Sequence, residues 1–334
     1  MSRQEHWRPT HDDPLFILAM DHRESFGTTL FYVKDDAPTA SQRASMAQAK
    51  SLIYRGLTQA APRLRCGRAG VLVDEQYGQD VVAEAMRDPI VLAVPIEASG
   101  HEWFTLQRSE SWLDHVHRIN PDYVKVLVRD NPAFDRGERY AQFDQLAQVS
   151  KALESAGIPL LYELLVPATD YQLASLGGVA DGALDRYDRE LRPELVVRVI
   201  ADNQDAGIEP RLWKVEGLDT VDAARAVAAQ ARAGNRDTDL IVLGRDAPVD
   251  RLDRWLHVAS EVDAFVGFAI GRSIWEDPIR DWVSHGLGDQ PTADHIGNAY
   301  LAFAQQWGTL HHNDDEQHTD DEDHTDDQRQ DDDQ

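Results

Sequence analysis

Lysine is scarce in this chain: five occur in 334 residues, and two of them, Lys125 and Lys214, sit inside the apolar runs YVKVLV and LWKVEGL. An ammonium group buried in such a run loses solvation, which lowers its pKa from the ordinary value of about 10.4 toward neutrality. An amine that is partly unprotonated attacks a ketone carbon to form an imine. A buried ion pair is the competing account, because lysines are seldom buried without a partner, and strand position alone weighs the two equally. Carboxylates occupy runs of the same kind: Glu163 in LLYELLV, Glu216 two residues after Lys214, Asp21 closing LFILAMD and Glu97 closing IVLAVPIE. Carbinolamine dehydration and carbon–carbon cleavage each move a proton on or off oxygen, which a positioned carboxyl group performs. An ion-pair layer filling a protein interior would use the same residue types.

What must position these groups is a strand-then-helix order repeated along the chain. Short aliphatic runs fall at residues 15–21, 69–75, 90–97, 123–128, 160–166, 212–218, 240–244 and 265–271. Stretches rich in Ala, Leu, Gln and Arg separate them, most clearly at 43–61, 142–156, 193–206, 220–233, 250–259 and 292–307, several closed by glycine as in ESAGIP. Such alternation over a single large core predicts a closed (β/α)8 TIM barrel, and no GxGxxG follows the first run to favour a doubly wound sheet. Alternation of side chains then puts Tyr123, Lys125, Leu127 and Arg129 inward while Val124, Val126 and Val128 face helices. By the same period Lys214 and Glu216 face inward together, as do Glu163, Asp21 and Glu97, toward the end at which barrel active sites open.

The seventh and eighth runs end in LGRDA and IGRSIW, each with a glycine before an arginine. Barrels bind phosphate there: Gly244 and Gly271 let backbone amides approach an anion, and Arg272 adds a bidentate charged contact. Pairing of either arginine with Asp246, Glu276 or Asp277 at the rim is the alternative. A divalent ion would draw on His22, Asp74, Glu75, Glu97, His101, Glu163 and Glu216, but no metal-ligand spacing is present, so no metal and no cofactor is expected.

The formal charge of −26 excludes nucleic acid and anionic membrane surfaces as partners by repulsion. Twelve acidic residues and one arginine fall between His311 and Gln334, a block with no apolar residue to bury, and its histidines, His311, His312, His318 and His324, read as solvated. The expected organisation is a barrel over residues 1–308 and a disordered acidic tail over 309–334. With no apolar membrane-length segment, no secretory leader and the single Cys66, a cytoplasmic protein is expected. A homo-oligomer is compatible with the sequence.

Taken in order, LFILAMDHRESF, GVLVDEQYG, YVKVLVRDNP, YELLVPAT, DRYDRELRPELVVRVI, LWKVEGLD, IVLGRDA and GFAIGRSIW resemble one family over roughly residues 12–307. It is the aldolase-like barrel at the carboxyl end of bifunctional 5-dehydro-2-deoxygluconokinases of inositol catabolism, similar in turn to class I tagatose-1,6-bisphosphate aldolases. The resemblance implies that Lys214, in the KVE motif, forms the Schiff base, with Lys125 as auxiliary cation and Glu163 as proton shuttle. It also implies that Asp21 and Arg23 lie near the substrate carbonyl and that Gly244, Gly271 and Arg272 hold phosphate. DHR at residues 21–23 matches the inositol-type domain, where tagatose-type enzymes read DQR; a free-standing barrel without the sugar-kinase domain is expected. The implied reaction cleaves 6-phospho-5-dehydro-2-deoxy-D-gluconate to dihydroxyacetone phosphate and malonate semialdehyde. A tagatose-bisphosphate or sulfosugar phosphate is the alternative substrate. A metal-dependent lyase and a non-catalytic sugar-phosphate-binding protein are the rival classes.

Overall fold

The computed structural model describes residues 7–34, 37–179, 182–245 and 247–322, with side chains as far as Trp307. Eight strands, β1 (Leu15–Ala19), β2 (Arg68–Leu72), β3 (Val91–Pro95), β4 (Tyr123–Arg129), β5 (Leu160–Leu165), β6 (Leu212–Glu216), β7 (Asp239–Leu243) and β8 (Phe265–Ile270), pair in parallel in chain order. The edge between β8 and β1 is closed by pairing of Leu15 to Leu18 with Gly267 to Ile270. The expected TIM barrel is therefore present.

Around the strands run α1 (Glu24–Phe31), α2 (Ala40–Ala60), α3 (Glu75–Ala85), α4 (Trp112–Ile119), α5 (Arg136–Ala156) and α6 (Asp170–Ser175). The circuit continues with α7 (Ala183–Arg186), α8 (Arg192–Asp205), α9 (Val221–Ala231), α10 (Val249–Ser260), α11 (Arg272–His285) and α12 (Asp289–Glu322). A single π-helical turn, Tyr187–Leu191, joins α7 to α8. Helix starts follow local chemistry: Asp74 accepts from the Tyr77 amide at the head of α3, and Thr39 forms a reciprocal box with Gln42 at the head of α2. Helices α2 and α12 meet backbone to backbone, since a Cβ on Gly56 would lie 2.8 Å from the Ala293 carbonyl oxygen and one on Gly297 2.8 Å from that of Gly56. This approach seats α12 across the barrel's flank, where Tyr300 donates to the Phe16 carbonyl at 2.8 Å.

Two apolar clusters divide the core as the period of two demands. Val124, Val126 and Val128 of β4, with Trp213 and Val215 of β6, pack in the outer cluster between sheet and helices. Ile17, Val91, Ala93, Tyr123, Leu161 and Leu212 form a separate inner cluster. Because those inner residues come early in their strands, they plug the amino-terminal part of the lumen and leave its other end to the charged groups.

Helix α12 runs on past residue 308, carrying the first part of the acidic segment helically to Glu322. Extending a packed helix adds one hydrogen bond per residue fixed, whereas an isolated tail must nucleate its own. The rest of the expected tail, residues 323–334, lies outside the described residues. No helix among the described residues is long and apolar enough to cross a membrane.

Candidate active site

Register brings the two lysines to one carboxylate. Glu163 on β5 pairs directly with Lys214 on β6, and on its other side with Leu127, two residues after Lys125 on the same face of β4. The outcome is a bridge: Lys214 Nζ lies 3.0 Å from Glu163 Oε1 and Lys125 Nζ 2.9 Å from Glu163 Oε2. Both lysines are buried, Lys125 at 1% exposure and Lys214 at 3%.

Their surroundings differ. Lys125 also donates to Asp21 at 2.8 Å and to Glu97 at 2.9 Å, so three carboxylates converge on its ammonium. Burial alone would lower its pKa, but Asp21, Glu163 and Glu97 outweigh burial and push it above the ordinary lysine value. The depression expected for an amine in an apolar strand is thus reversed at Lys125, because the strand face opens onto acids. Burial works against ionised Asp21 as well, yet Lys125, helped by Lys214 and His22, holds it well below the usual carboxylate range. Glu163 is likewise lowered, burial being outweighed by Lys125 and Lys214. Glu97 goes the other way: burial raises it in spite of Lys125 and Arg23. Its Oε1 is shared between Lys125 and Arg23, the latter at 3.3 Å, and Arg23 also donates to Gln107 at 3.1 Å.

A third lysine, which the sequence reading passes over, fixes the segment after β1. Lys50 of α2 is fully buried, pairs with Asp74, and donates to the carbonyls of Met20 and of His22, the latter at 2.9 Å. Those carbonyls flank Asp21, so the clamp sets the direction of its carboxylate. Trp275 of α11 donates to the Ala19 carbonyl at 2.9 Å and meets the His22 ring edge-on. Burial lowers the His22 pKa to about 3, with Arg272, Lys50 and Lys214 acting in the same direction against Asp21, so this ring is neutral at pH 7.

A cavity of about 350 Å³ opens at the carboxyl end of the strands. Asp21, Arg23, Lys125, Glu163, Lys214, Gly244, Gly271 and Arg272 all border it. At Gly271 a Cβ would stand 2.4 Å from the Ala19 carbonyl oxygen, so the close turn from β8 into α11 admits only glycine. Glu216, the remaining sequence-derived site residue, is not on the cavity wall. Its Oε2 accepts from the Val166 amide at 2.9 Å and its Oε1 lies 2.9 Å from Arg245, which does border the cavity. The residue two positions beyond Lys214 faces inward as the period requires, but the strand ends there and its carboxylate is taken up by neighbouring strand ends.

Of the residues a divalent ion would draw on, His22, Glu97, His101 and Glu163 border the cavity, and the other three are engaged outside it. Asp74 serves Lys50 and the Tyr77 amide, Glu75 pairs with His115, and Glu216 with Arg245. Among the described residues no group of three His, Cys, Asp or Glu is arranged to hold a metal ion. Lys50 is the site neighbour that the sequence reading passes over, since nothing local marks it on its helix; Glu97 is in view there as an inward carboxylate and divalent-ion candidate, and Arg245 as one of the two arginines that follow a glycine at a strand end.

Two solved structures share this architecture. The crystal structure of Cgl0159 from Corynebacterium glutamicum is 17% identical with a TM-score of 0.53, the match covering 89% of this chain and 86% of that one. A fructose-bisphosphate aldolase from Slackia heliotrinireducens is 12% identical with a TM-score of 0.52, covering 86% of each chain. At such identities the likeness establishes the fold alone. No curated protein matches the sequence. A family model described as "Uncharacterized protein conserved in bacteria (DUF2090)" matches residues 3–311.

Proposed function

We propose that the chain, which belongs to the DUF2090 family, is a class I aldolase whose Lys214 forms an imine with the ketone of a phosphorylated sugar acid. The observation that carries this reading is the inequality of two buried lysines joined by one carboxylate. Among the described residues Lys125 has three acidic partners and Lys214 has one, Glu163. An amine attacks only as the free base, and Lys125 is committed to the charged form. Lys214, on the cavity wall beside a single acceptor, is the group left to act as nucleophile.

In the proposed cycle Lys214 gives a proton to Glu163, and its lone pair attacks the ketone carbon. With Lys214 uncharged, Glu163 faces one cation instead of two and holds the proton more readily. Glu163 then protonates the carbinolamine oxygen, which leaves as water and gives the iminium. A carboxylate, Glu163 or Asp21, removes the proton of the β-hydroxyl as the carbon–carbon bond breaks; the aldehyde departs and the bond's electron pair enters the iminium to form an enamine. Protonation at carbon and hydrolysis release the second product and restore Lys214. Lys125 holds Asp21 and Glu163 in place and returns them to the ionised form once each transferred proton has been passed on, while Gly244, Gly271 and Arg272 take the phosphate. No cofactor is called on.

The KVE motif supports the imine, the barrel is one that an aldolase from Slackia heliotrinireducens also uses, and the DHR motif favours 6-phospho-5-dehydro-2-deoxy-D-gluconate as substrate, giving dihydroxyacetone phosphate and malonate semialdehyde. Borohydride reduction in the presence of dihydroxyacetone phosphate, followed by peptide mass spectrometry, tests it. An adduct on Lys214 is expected. An adduct on Lys125 alone would invert the two roles, and an unmodified protein whose turnover is abolished by chelator would replace the imine with a metal-dependent lyase. A panel including tagatose bisphosphate and sulfosugar phosphates decides among substrates.

A further inference from the structure

Arg245 follows Gly244 at the end of β7 with φ 46°, a left-handed conformation rare for a residue with a side chain. Such a conformation persists where the surroundings over-determine it. Here they are a pair of buried acids: Nη1 of Arg245 donates to Asp188 Oδ1 at 2.8 Å and lies 2.9 Å from Glu216 Oε1. Both acids are anchored independently of Arg245. Glu216 is held by the Val166 amide, and Asp188 is shared with Arg192 at 3.0 Å and Arg251 at 3.1 Å. Arg192 is itself fully buried and tied to the Gly217 carbonyl at 2.8 Å. The π-helical turn carrying Asp188 and the end of β6 carrying Glu216 therefore form a fixed seat for one nitrogen of the guanidinium. The Arg245 side chain is 36% exposed and borders the same cavity as Lys214 and Arg272.

A guanidinium seated through one amino nitrogen still offers a planar pair of donors, which suits two oxygens of a phosphoryl group. Resting on the aldolase reading above, we infer that Arg245 contacts the substrate's phosphoryl group from the β7 side while Arg272 approaches from β8, so that Arg245 selects a phosphorylated ketone over its unphosphorylated counterpart. Glu216 and Asp188 act through Arg245 as positioning residues. This explains both the left-handed turn and the fact that Glu216, though inward-facing, stops short of the cavity.

The test compares wild type, Arg245→Gln, Arg245→Lys and Glu216→Gln by borohydride labelling of Lys214 with dihydroxyacetone phosphate and, separately, with dihydroxyacetone. The readout is the ratio of the two half-labelling concentrations. Loss of a charged hydrogen bond to phosphate should lower the preference for the phosphorylated ketone by about tenfold or more in Arg245→Gln. Glu216→Gln should lower it less, and Arg245→Lys should recover part of it. Calorimetric titration with inorganic phosphate should show weaker binding to Arg245→Gln than to wild type. An unchanged ratio with unchanged phosphate binding overturns the inference. Failure of wild type to be labelled by either ketone counts against the aldolase reading, and the phosphate titration then still decides the role of Arg245.

Discussion

Replacing Lys125 by methionine should destabilise the protein far more than the same change at Lys214. Each of the three acids around Lys125 stands 2.8–2.9 Å from its nitrogen. At an effective dielectric of 20 each such contact is worth about 6 kcal/mol of attraction, most of it offset by desolvation. Methionine fills the space but takes the paired cation from Asp21 and leaves Glu163 to Lys214 and Glu97 to Arg23, and removing one side of a buried pair costs about 3–5 kcal/mol. At 2–4 °C per kcal/mol, that is a fall in Tm of roughly 6–20 °C. Lys214→Met leaves Glu163 paired to Lys125 and should cost no more than about 1–2 kcal/mol.

The pH dependence follows from the signs. Asp21 and Glu163 are lowered in the folded protein, so their contribution is present above the ordinary carboxylate value and is lost as pH falls through the folded one. Lys125 is raised, so its contribution is present below the ordinary lysine value and is lost only as pH rises through the folded one. Both are complete at pH 7. Without Lys125 the balance shifts toward burial, most of all at Asp21, because Glu163 keeps Lys214 and Glu97 keeps Arg23, so the folded variant binds protons more readily and gains stability relative to wild type on acidification. Melting curves of the three proteins between about pH 5 and 8 should show the Lys125→Met deficit largest at the neutral end and shrinking toward the acid end. Equal deficits for the two lysine variants, or a gap constant with pH, would refute the reasoning.

Further outcomes can be checked in the same proteins. Glu163→Gln keeps the shape but accepts no proton, so turnover should fall by about 10²- to 10⁴-fold, while slow borohydride labelling of Lys214 continues. Lys50→Met strands the Asp74 carboxylate and the Met20 and His22 carbonyls, and should lower both Tm and kcat, with no rescue in Lys50→Arg because the site is fully enclosed. Gly271→Ala drives a methyl group against the Ala19 carbonyl and should weaken inhibition by inorganic phosphate. At Gly244→Ala the nearest atoms to the new methyl group belong to the Leu252 and Ile270 side chains at 3.3–3.4 Å, which can give where a carbonyl cannot, so a smaller loss of inhibition than in Gly271→Ala is expected.

Strands were legible in the sequence because each is a short apolar run whose inner and outer faces alternate. The outward valines of β4 and the inward Tyr123 fall in separate clusters, as a period of two requires. Helices were read where apolar periodicity is long, as in α2, α5 and α8, and missed where it is short or interrupted. Helix α3 contains Gly78 in a non-helical conformation, α11 contains Pro278, and α1 and α4 are only eight residues each. These elements stand by capping and tertiary packing, which a local pattern does not display.

The site was legible in its faces but not in its pairings. Strand period says that Lys125, Glu163 and Lys214 look into one lumen; it is silent on how many acids reach each amine. That number depends on where neighbouring strands stop. Pro95 pairs with Lys125, so Glu97, two residues beyond the last residue of β3, rises over the β4 lysine, and Asp21, two beyond β1, reaches the same nitrogen. On the opposite flank Glu216 is the last residue of β6 and turns to the Val166 amide and Arg245, so it adds nothing to Lys214. Closure of the sheet thus distributes four inward acids unequally between two lysines, and surroundings that look interchangeable in YVKVLV and LWKVEGL become distinct.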